Sequence, residues 1–235
     1  MDKIKVLKDW INESDNIVFL TGAGVSTPSG IPDFRGKDGI YSEKFQGRWN
    51  NVFEISSFTK DPSDYYDFYK SSLGDFKPNI IHEKIAELEK ADKEIYVVTQ
   101  NIDGLHQLAG SKNVLELHGS AKRSYCMKCL KEYNMDEYNL EEPVPYCSCG
   151  GVIRPDVVMF GEGLDQNVLY KSIEKIRNSD LLVVAGTSLT VHPAAGLVNY
   201  YIKDKMVIIN NQETPYDIFA NLVINDDLVD VVFKI

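Results

Sequence analysis

The chain has 235 residues, of which 43% are hydrophobic and 26% are charged, a composition typical of a folded globular protein. Its formal net charge of −10 disfavours binding through nucleic-acid phosphates, so we expect no nucleic-acid partner. No apolar run approaches the roughly 20 residues of a membrane-spanning helix, and the charged amino terminus lacks the apolar core of a signal peptide. We therefore expect a cytoplasmic protein with no membrane partner.

The predicted elements alternate between helices and strands along the chain. A helix is predicted over residues 3–13, and an apolar strand at 17–20 follows it. Further strands are predicted at 95–99, 114–117, 181–185 and 206–209, and further helices at 64–72, 81–90, 166–177 and 194–202. This alternation predicts an α/β fold with a parallel sheet, in which ligands bind beyond the carboxyl ends of the strands.

Two stretches interrupt the alternation. Residues 36–62 are rich in Gly, Ser, Asn and aromatic residues, and residues 120–160 contain all four cysteines. We expect both stretches to pack together as a small module beside the main domain, with a cleft between them. The main domain is predicted to comprise residues 1–35, 81–119 and 160–235, and the small domain is predicted to comprise 36–80 and 120–159.

A glycine-containing loop, residues 21–26 (TGAGVS), follows the first predicted strand. Glycines at this place let backbone N–H groups approach a phosphate. Thr27 stands where the dinucleotide-binding fingerprint has its third glycine. On this loop alone, a phosphate cradle and a plain strand-to-helix turn are equally supported. The next run, residues 29–36 (SGIPDFRG), sets a carboxylate, an aromatic ring and a guanidinium side by side, which a merely connecting loop does not need.

The cysteines form two close pairs, Cys126-x2-Cys129 and Cys147-x-Cys149. In a reducing compartment this clustering favours a structural zinc site over disulfides. Four thiolate ligands leave no open coordination position, so the metal is expected to hold the module rather than to react. The single residue inside the second pair strains chelation. This strain could shift the loop, weaken metal binding or be absorbed by Gly150 and Gly151, and an empty site is the alternative.

Several short motifs, taken together and in order, resemble those of the sirtuin family of NAD-dependent protein deacylases, most closely its compact bacterial type. These motifs lie at residues 22–26, 30–35, 99–106, 116–119, 154–162, 186–195, 209–210 and 214–215. The resemblance implies a large Rossmann-like domain with a small zinc-binding module inserted, and NAD and an acyl-lysine peptide meeting in the cleft. Within the family, the second cysteine pair normally has two intervening residues, so this chain departs from the pattern there.

The resemblance also assigns roles to individual residues. His118 follows a predicted strand, where an imidazole suits general-base chemistry, although a lone histidine is more often structural. By resemblance, His118 and Asn101 are catalytic, with His118 acting on the NAD ribose. The residues implied to bind NAD are Ala23, Gly24, Thr27, Ile31, Asp33, Phe34, Arg35, Gln100, Asn101, Ile102, Asp103, His118, Gly186, Thr187, Ser188, Asn210 and Val229. The residues implied to bind the peptide are Val158, Phe160, Gly161, Glu162 and Val191, and those implied to bind zinc are Cys126, Cys129, Cys147 and Cys149. Helix capping is the alternative for Asn101 and Asp103, and a plain turn is the alternative for Asn210.

The implied activity is NAD-dependent protein-lysine deacetylation, in which the acetyl group passes to ADP-ribose with release of nicotinamide and 2′-O-acetyl-ADP-ribose. Family members that prefer acidic acyl groups have an Arg three residues after a Tyr; here Tyr69 is followed by Ser72. We therefore expect an uncharged acyl group on protein or peptide substrates, acetyl first, and a monomeric enzyme. A mono-ADP-ribosyltransferase and a non-catalytic NAD-binding module are the alternatives.

Overall fold

The computed structural model describes residues 2–34, 39–40, 51–72, 74–91 and 93–235. Its strands are β1 (Asn16–Thr21), β2 (Glu94–Thr99), β3 (Val114–Glu116), β4 (Gly119–Cys126), β5 (Glu132–Asn134), β6 (Ile153–Val157), β7 (Leu181–Ala185), β8 (Met206–Ile209) and β9 (Leu222–Ile224). Its α-helices are α1 (Lys3–Glu13), α2 (Ile55–Lys60), α3 (Ser63–Ser71), α4 (Ile80–Lys90), α5 (Leu105–Ala109), α6 (Gln166–Asn178) and α7 (Leu228–Val232).

Six of these strands form a parallel sheet, called here the large sheet, in the order β3-β2-β1-β7-β8-β9. The chain builds outward from β1 through β2 to β3, then returns to the other side of β1 and continues through β7 to β9. The strand order therefore reverses between β1 and β7, and the crevice at such a reversal is the usual ligand site of this architecture. The predicted Rossmann-like parallel sheet is confirmed.

Helices cover both faces of the large sheet. On one face α1, α4 and α7 contribute Leu7, Ile81 and Val231 to an apolar core. On the other face α6 and the segment Ala194–Tyr200 contribute Ile176 and Leu197. Central strands are consequently buried on both sides, and every residue of β7 and β8 is buried. This is why these strands are nearly continuous apolar runs in the sequence.

The segment predicted as a helix over 194–202 is helical, but the type of helix differs from the expected α-helix. Residues Ala194–Tyr200 make a 3-10 helix rather than an α-helix. The Gly196 N–H donates to the Pro193 carbonyl three residues back, at 3.0 Å. A glycine inside the turn lowers the α-helical preference, and the segment tightens accordingly.

A second, three-stranded antiparallel sheet, called here the small sheet, has the order β5-β4-β6. Helices α2 and α3 pack against it through an aromatic cluster that includes Phe58, Tyr65 and Tyr66. The Tyr66 hydroxyl donates to the Ile153 carbonyl, and the Tyr69 hydroxyl donates to the Ala121 carbonyl at 3.0 Å. Residues from both interrupting stretches therefore lie together, while the exact domain boundaries stay a prediction. Among the helices that the structure describes, none combines the length and the apolar composition needed to cross a bilayer.

The chain passes from the large sheet to the small sheet within two residues. Strand β3 ends at Glu116, and β4 begins at Gly119, so His118 lies at the junction. Gly119 has φ +74°, and a Cβ placed on it would lie 2.0 Å from the Asp156 carbonyl oxygen. The junction thus requires a glycine both for its left-handed backbone and for the approach of β6.

Candidate active site

The loops after β1 and β7 touch each other at the crevice. The Gly24 N–H donates to the Gly186 carbonyl at 2.8 Å, and a Cβ on Gly24 would lie 2.8 Å from the Gly186 Cα. Gly186 has φ +61°, and a Cβ on it would lie 2.6 Å from the Val25 nitrogen. Loop-to-loop contact therefore accounts for these glycines here, with the Gly24 N–H already engaged. A phosphate-binding role for the loop remains a proposal.

Polar side chains from the segments that follow β1 and β2 meet next to this contact. The Asn101 amide donates to the Gly22 carbonyl at 3.1 Å and to the Ser26 hydroxyl oxygen at 3.0 Å. The Ser26 hydroxyl donates to Asp103 at 2.7 Å. The other Asp103 oxygen accepts the Leu105 N–H at the start of α5, at 2.8 Å. Asp103 thus accepts hydrogen bonds both from the start of α5 and from the network. Helix capping therefore does not exclude contact with NAD, which stays a prediction.

A buried histidine lies behind this network. The His82 Nδ1 accepts the Asn79 N–H at 3.2 Å, so in the neutral ring the proton is on Nε2, which lies 3.4 Å from the Ser26 oxygen. The His106 ring packs edge-on at 4.8 Å between centroids. Burial lowers the pKa of His82 to about 4 and that of His106 to about 3. Both imidazoles are therefore neutral at pH 7. Sequence reasoning missed this role for His82; the signal available was the capping pattern Asn79-x-x-His82 at the start of α4.

His118 is held in one tautomer at the junction between the sheets. Its Nδ1 donates to the Gln100 carbonyl at 2.9 Å, which leaves Nε2 as the basic nitrogen of the neutral ring. Burial lowers its pKa, and the hydrogen bond to Gln100 offsets only part of that effect. The arrangement supplies a neutral imidazole with one nitrogen available as a base.

The remaining predicted NAD-binding residues of the sheet fall on the same edge. The Gln100 side chain donates to the Thr187 hydroxyl at 3.0 Å, which links the ends of β2 and β7 across β1. Ser188 follows Thr187, and its hydroxyl lies 2.9 Å from that of Thr190. Asn210 follows β8, and its side chain donates to the Gln212 carbonyl at 2.8 Å. Val229 is the exception to this pattern, because it lies in α7 and packs against the core of one sheet face.

The segment after the glycine loop is described as far as Phe34. The Thr27 hydroxyl donates to the Gly24 carbonyl at 3.1 Å, and the Ile31 N–H donates to the Ser26 carbonyl at 3.4 Å. The Asp33 carbonyl accepts the Ile40 N–H at 2.8 Å. The Phe34 ring is 40% exposed and packs edge-on against Phe53 at 5.8 Å. Arg35, predicted to bind NAD, lies outside the described residues.

The predicted NAD-binding residues Ala23 and Ile102 occupy different parts of the site. Ala23 opens the 3-10 helix Ala23–Val25 that follows β1. The Ile102 carbonyl accepts the Ala121 N–H at 2.8 Å, and its side chain packs against the aromatic cluster of the small sheet. Ile102 therefore connects the end of β2 with β4.

The predicted peptide segment, residues 158–162, is tied to the junction between the sheets, to the segment before α2 and to β6. The Val158 N–H donates to the His118 carbonyl at 2.9 Å, and the Phe160 N–H donates to the Phe53 carbonyl at 2.7 Å. Gly161 has φ +92°. Both Glu162 carboxylate oxygens accept hydrogen bonds from Arg154, at 2.9 and 2.7 Å. The structure thus brings Val158, Phe160, Gly161 and Glu162 together beside His118, with several of their polar groups already engaged. Val191 lies beyond β7, where its carbonyl accepts the Ala195 N–H at 2.8 Å.

The four cysteines converge at the end of the small sheet. Their sulfur atoms all lie within 4.8 Å of one another, with the Cys126–Cys149 pair at 3.5 Å and the Cys129–Cys147 pair at 3.7 Å. Sulfurs bound to one tetrahedral zinc ion at about 2.3 Å are about 3.8 Å apart, so this donor set fits zinc. The Cys149 N–H and the Tyr133 hydroxyl donate to the Cys147 sulfur and lower the pKa of that thiol to about 6. The short second spacing therefore does not prevent convergence.

Glycines accommodate that short spacing. Gly150 has φ +81°, and its N–H donates to the Cys147 carbonyl at 2.8 Å. A Cβ on Gly151 would lie 2.6 Å from the Cys126 sulfur. The two glycines thus let a turn after Cys147 return toward the first cysteine pair.

Known proteins share this sequence and this fold along the whole chain. A family model described as the Sir2 family matches residues 22–193. A protein of Clostridium tetani named NAD-dependent protein deacetylase is 48% identical, over 97% of this chain and 95% of its own. A protein of Clostridium perfringens with the same name is 48% identical, over 100% of this chain and 98% of its own.

Solved structures agree with these sequence matches. A Sir2 structure described with a deacetylated p53 peptide and 3′-O-acetyl ADP-ribose has a TM-score of 0.91 and 44% identity, covering 99% of this chain and 96% of that chain. Another, described as Sir2 with p53 peptide and NAD⁺, has a TM-score of 0.89 and 42% identity with the same coverage. The match covers nearly the whole chain, including both sheets, and the chain belongs to the Sir2 family.

Proposed function

We propose that the chain is an NAD-dependent protein-lysine deacetylase that transfers the acetyl group to ADP-ribose and releases nicotinamide and 2′-O-acetyl-ADP-ribose. The observation that carries the proposal is the position of His118. A single-tautomer, neutral imidazole lies where the NAD-type crevice of the large sheet meets the segment predicted to bind peptide. The names of the relatives in Clostridium tetani and Clostridium perfringens support the same activity.

His118 is proposed as the general base. Its Nδ1–H is held by the Gln100 carbonyl, so Nε2 takes a proton from a ribose hydroxyl without any change of tautomer. Because burial lowers the pKa of His118, the ring is neutral at neutral pH and its Nε2 carries no proton. A base in the correct protonation state at the working pH is the condition for efficient proton transfer.

The polar network next to His118 is proposed to bind NAD, which supplies an activated glycosidic bond to nicotinamide. Asn101 and Asp103 are fixed through Ser26, so their orientation is set before the ligand binds. Phe34 is proposed to exclude water from the reacting carbon. Gln100, Thr187, Ser188 and Asn210 offer amides and hydroxyls to the ribose groups, and Arg35 offers a positive charge to the diphosphate. The remaining proposed NAD contacts are Ala23, Gly24, Thr27, Ile31, Asp33, Ile102, Gly186 and Val229.

The acyl-lysine peptide is proposed to bind as an extended strand between residues 158–162 and residues 186–193, which include Val191. An uncharged acyl group is favoured by the chemistry around α3. The Tyr69 hydroxyl is occupied by the Ala121 carbonyl, and the Ser72 hydroxyl donates to the Phe68 carbonyl at 2.9 Å. Neither position supplies the guanidinium that would pair with a distal carboxylate.

A zinc ion bound by the four cysteines is proposed to stabilise the small sheet without taking part in the chemistry. Reduced thiolates suit a cytoplasmic enzyme, which is the proposed location. We expect the enzyme to act as a monomer on acetylated proteins.

The test is turnover of an acetyl-lysine peptide with and without NAD, with products identified by mass spectrometry. The proposal predicts equal amounts of nicotinamide, deacetylated peptide and acetyl-ADP-ribose, each dependent on both substrates. Nicotinamide release without deacetylation would contradict it and would favour ADP-ribosyl transfer. On matched peptides, the acetyl group should be removed faster than the succinyl group.

A further inference from the structure

We propose that Arg154 and Glu162 form a clamp that positions the peptide-binding segment 158–162, and that Glu162 acts through this clamp rather than by touching the peptide. The inference rests on the proposed function, because it concerns the same peptide site. It changes the role of Glu162, which the sequence resemblance lists among the peptide contacts.

Arg154 is an unusually buried cation. Its side chain is only 3% exposed. One guanidinium nitrogen donates to a Glu162 oxygen at 2.9 Å, and the other donates to the second Glu162 oxygen and to the Val157 carbonyl, both at 2.7 Å. The guanidinium also lies over the rings of Phe58 and Tyr125, at 5.4 and 5.8 Å. This one side chain therefore joins α2, β4 and β6 to the chain beyond β6.

Glu162 completes the clamp from the other side. The oxygen that accepts from Arg154 at 2.7 Å also accepts the Met159 N–H at 2.9 Å. Burial alone would raise the pKa of Glu162, but the hydrogen bonds from Arg154 and Met159 outweigh it and hold the pKa below its usual range. The carboxylate is thus ionised, with both oxygens engaged by the protein.

The clamp fixes the backbone on either side of one residue. Arg154 holds the Val157 carbonyl and Glu162 holds the Met159 N–H, so Val158 lies between two anchors. The Val158 N–H donates to the His118 carbonyl at 2.9 Å. The charged pair therefore sets the segment in register with the residue proposed as the base. Fixing a binding strand in advance lowers the entropy cost of peptide binding.

Direct contact and positioning predict different responses to peptide charge. If the Glu162 carboxylate touched the peptide, removing its charge would weaken the binding of peptides with Lys or Arg beside the acetyl-lysine more than the binding of neutral peptides. If Glu162 acts through the backbone, removing its charge weakens the binding of both kinds of peptide by the same factor. A pair of acetyl-lysine peptides that differ only in the charge of their flanking residues separates the two.

The experiment measures binding of these two fluorescent peptides by anisotropy, and binding of NAD by calorimetry, for Glu162→Gln. The matched control is Arg123→Gln. Arg123 of β4 also pairs with two carboxylates, Glu116 of β3 and Asp156 of β6, but its side chain is 54% exposed, and exposed pairs contribute little. A third variant, Arg154→Met with Glu162→Leu, removes both charges together and so avoids a buried unpaired ion.

The clamp predicts that Glu162→Gln raises the Kd of both peptides by the same factor, about tenfold, as expected for loss of a charge-assisted hydrogen bond. The Kd of NAD should stay within about twofold of wild type, and Arg123→Gln should bind like wild type. The double variant should fold and keep the raised peptide Kd. A rise in Kd confined to the basic peptide in Glu162→Gln would overturn the proposal. Unchanged Kd values for both peptides, or an equally large rise in the Kd of NAD, would overturn it as well. Wild-type peptide binding by the double variant would overturn it too. Failure of the wild type to consume NAD with acetylpeptide would instead overturn the proposed function.

Discussion

The two sheets of this protein are held together by different means. In the large sheet, strands such as β7 and β8 are buried along their whole length between apolar layers. In the small sheet, only three of the eight residues of β4 are buried, and one core cluster consists of Cys126, Tyr133, Cys147 and Ile153. The large sheet is thus packed between apolar layers on both faces, whereas the small sheet adds tyrosine hydrogen bonds, a buried ion pair and four convergent thiols to smaller apolar clusters.

The site lies where these two regions meet. His118 is fixed through its ring to Gln100 of the large sheet, and its carbonyl accepts the N–H of Val158 just beyond β6 of the small sheet. An apolar scaffold therefore carries the proposed NAD side of the site, and the module with the four convergent cysteines carries the proposed peptide side. Changes at the junction should affect chemistry most, and changes within one region should affect mainly the ligand of that region.

The largest effect is expected from His118→Ala. Removing a general base typically lowers the rate by about 10² to 10⁴-fold, so deacetylation should fall by about a thousandfold. Product peptide is quantified by mass spectrometry, and thermal unfolding is monitored in parallel. The melting temperature should change little, and turnover near the wild-type rate would refute the assigned role.

The next effect is structural and is also at the junction. Gly119→Ala should reduce the free energy of unfolding by about 2–4 kcal/mol, because it combines a left-handed backbone with a backbone clash. Gly110→Ala is the matched control, since Gly110 has φ +107° but no atom lies within 4 Å of its added Cβ. We expect about 1 kcal/mol there, measured by urea unfolding. Equal losses at the two glycines would show that the close approach of Asp156 is unimportant.

Acid should weaken the large-sheet side of the site. The pKa of His82 is lowered to about 4, so this ring stays neutral in the folded protein while the unfolded chain binds a proton below about pH 6.5. Stability is therefore lost as pH falls through 6.5 toward 4, by about 2 kcal/mol from this residue at pH 5.

Urea unfolding at pH 7 and pH 5 checks this for wild type and His82→Gln. The substitution should reduce the loss on acidification, whereas replacement of the exposed His192 should leave the loss unchanged. An equally steep loss in His82→Gln would contradict the assignment.

The smallest effect concerns the pH dependence of the reaction. Because burial lowers the pKa of His118, the acid limb of kcat/KM should have its midpoint below pH 6.5. Rates are compared from pH 5 to 8 at constant ionic strength. A midpoint at or above 6.5 would show that the folded protein does not favour the neutral ring.

Sequence patterns predicted those parts of the fold that depend on local burial. The continuous apolar run at 181–185 corresponds to a strand buried on both faces, and the predicted helix over 3–13 matches α1. Strand β9 and helix α5 are too short, at three and five residues, for periodicity to show them. The segment predicted as a helix at 194–202 forms a 3-10 helix that contains Gly196, instead of an α-helix.

Parts of the site could not be predicted, because they depend on contacts between distant segments. Ser26 and His82 are 56 residues apart in the sequence, and no local pattern indicates that they meet. Likewise, the sequence places a glutamate at position 162 but does not show that Arg154 occupies both of its oxygens. The convergence of the cysteines was predicted from spacing, and accommodation by Gly150 and Gly151 was one of the alternatives, whereas the left-handed turn at Gly150 that achieves it required the structure.

The most direct test of this two-region account is to remove the metal. After zinc is incorporated, chelation and dialysis give a metal-free protein, and metal content is measured together with NAD binding and deacetylation. The account predicts that NAD binding persists, acetylpeptide binding and deacetylation are lost, and added zinc restores both. A metal-free protein that deacetylates at the wild-type rate would contradict the claim that the small sheet must be held by its thiolates for the site to work.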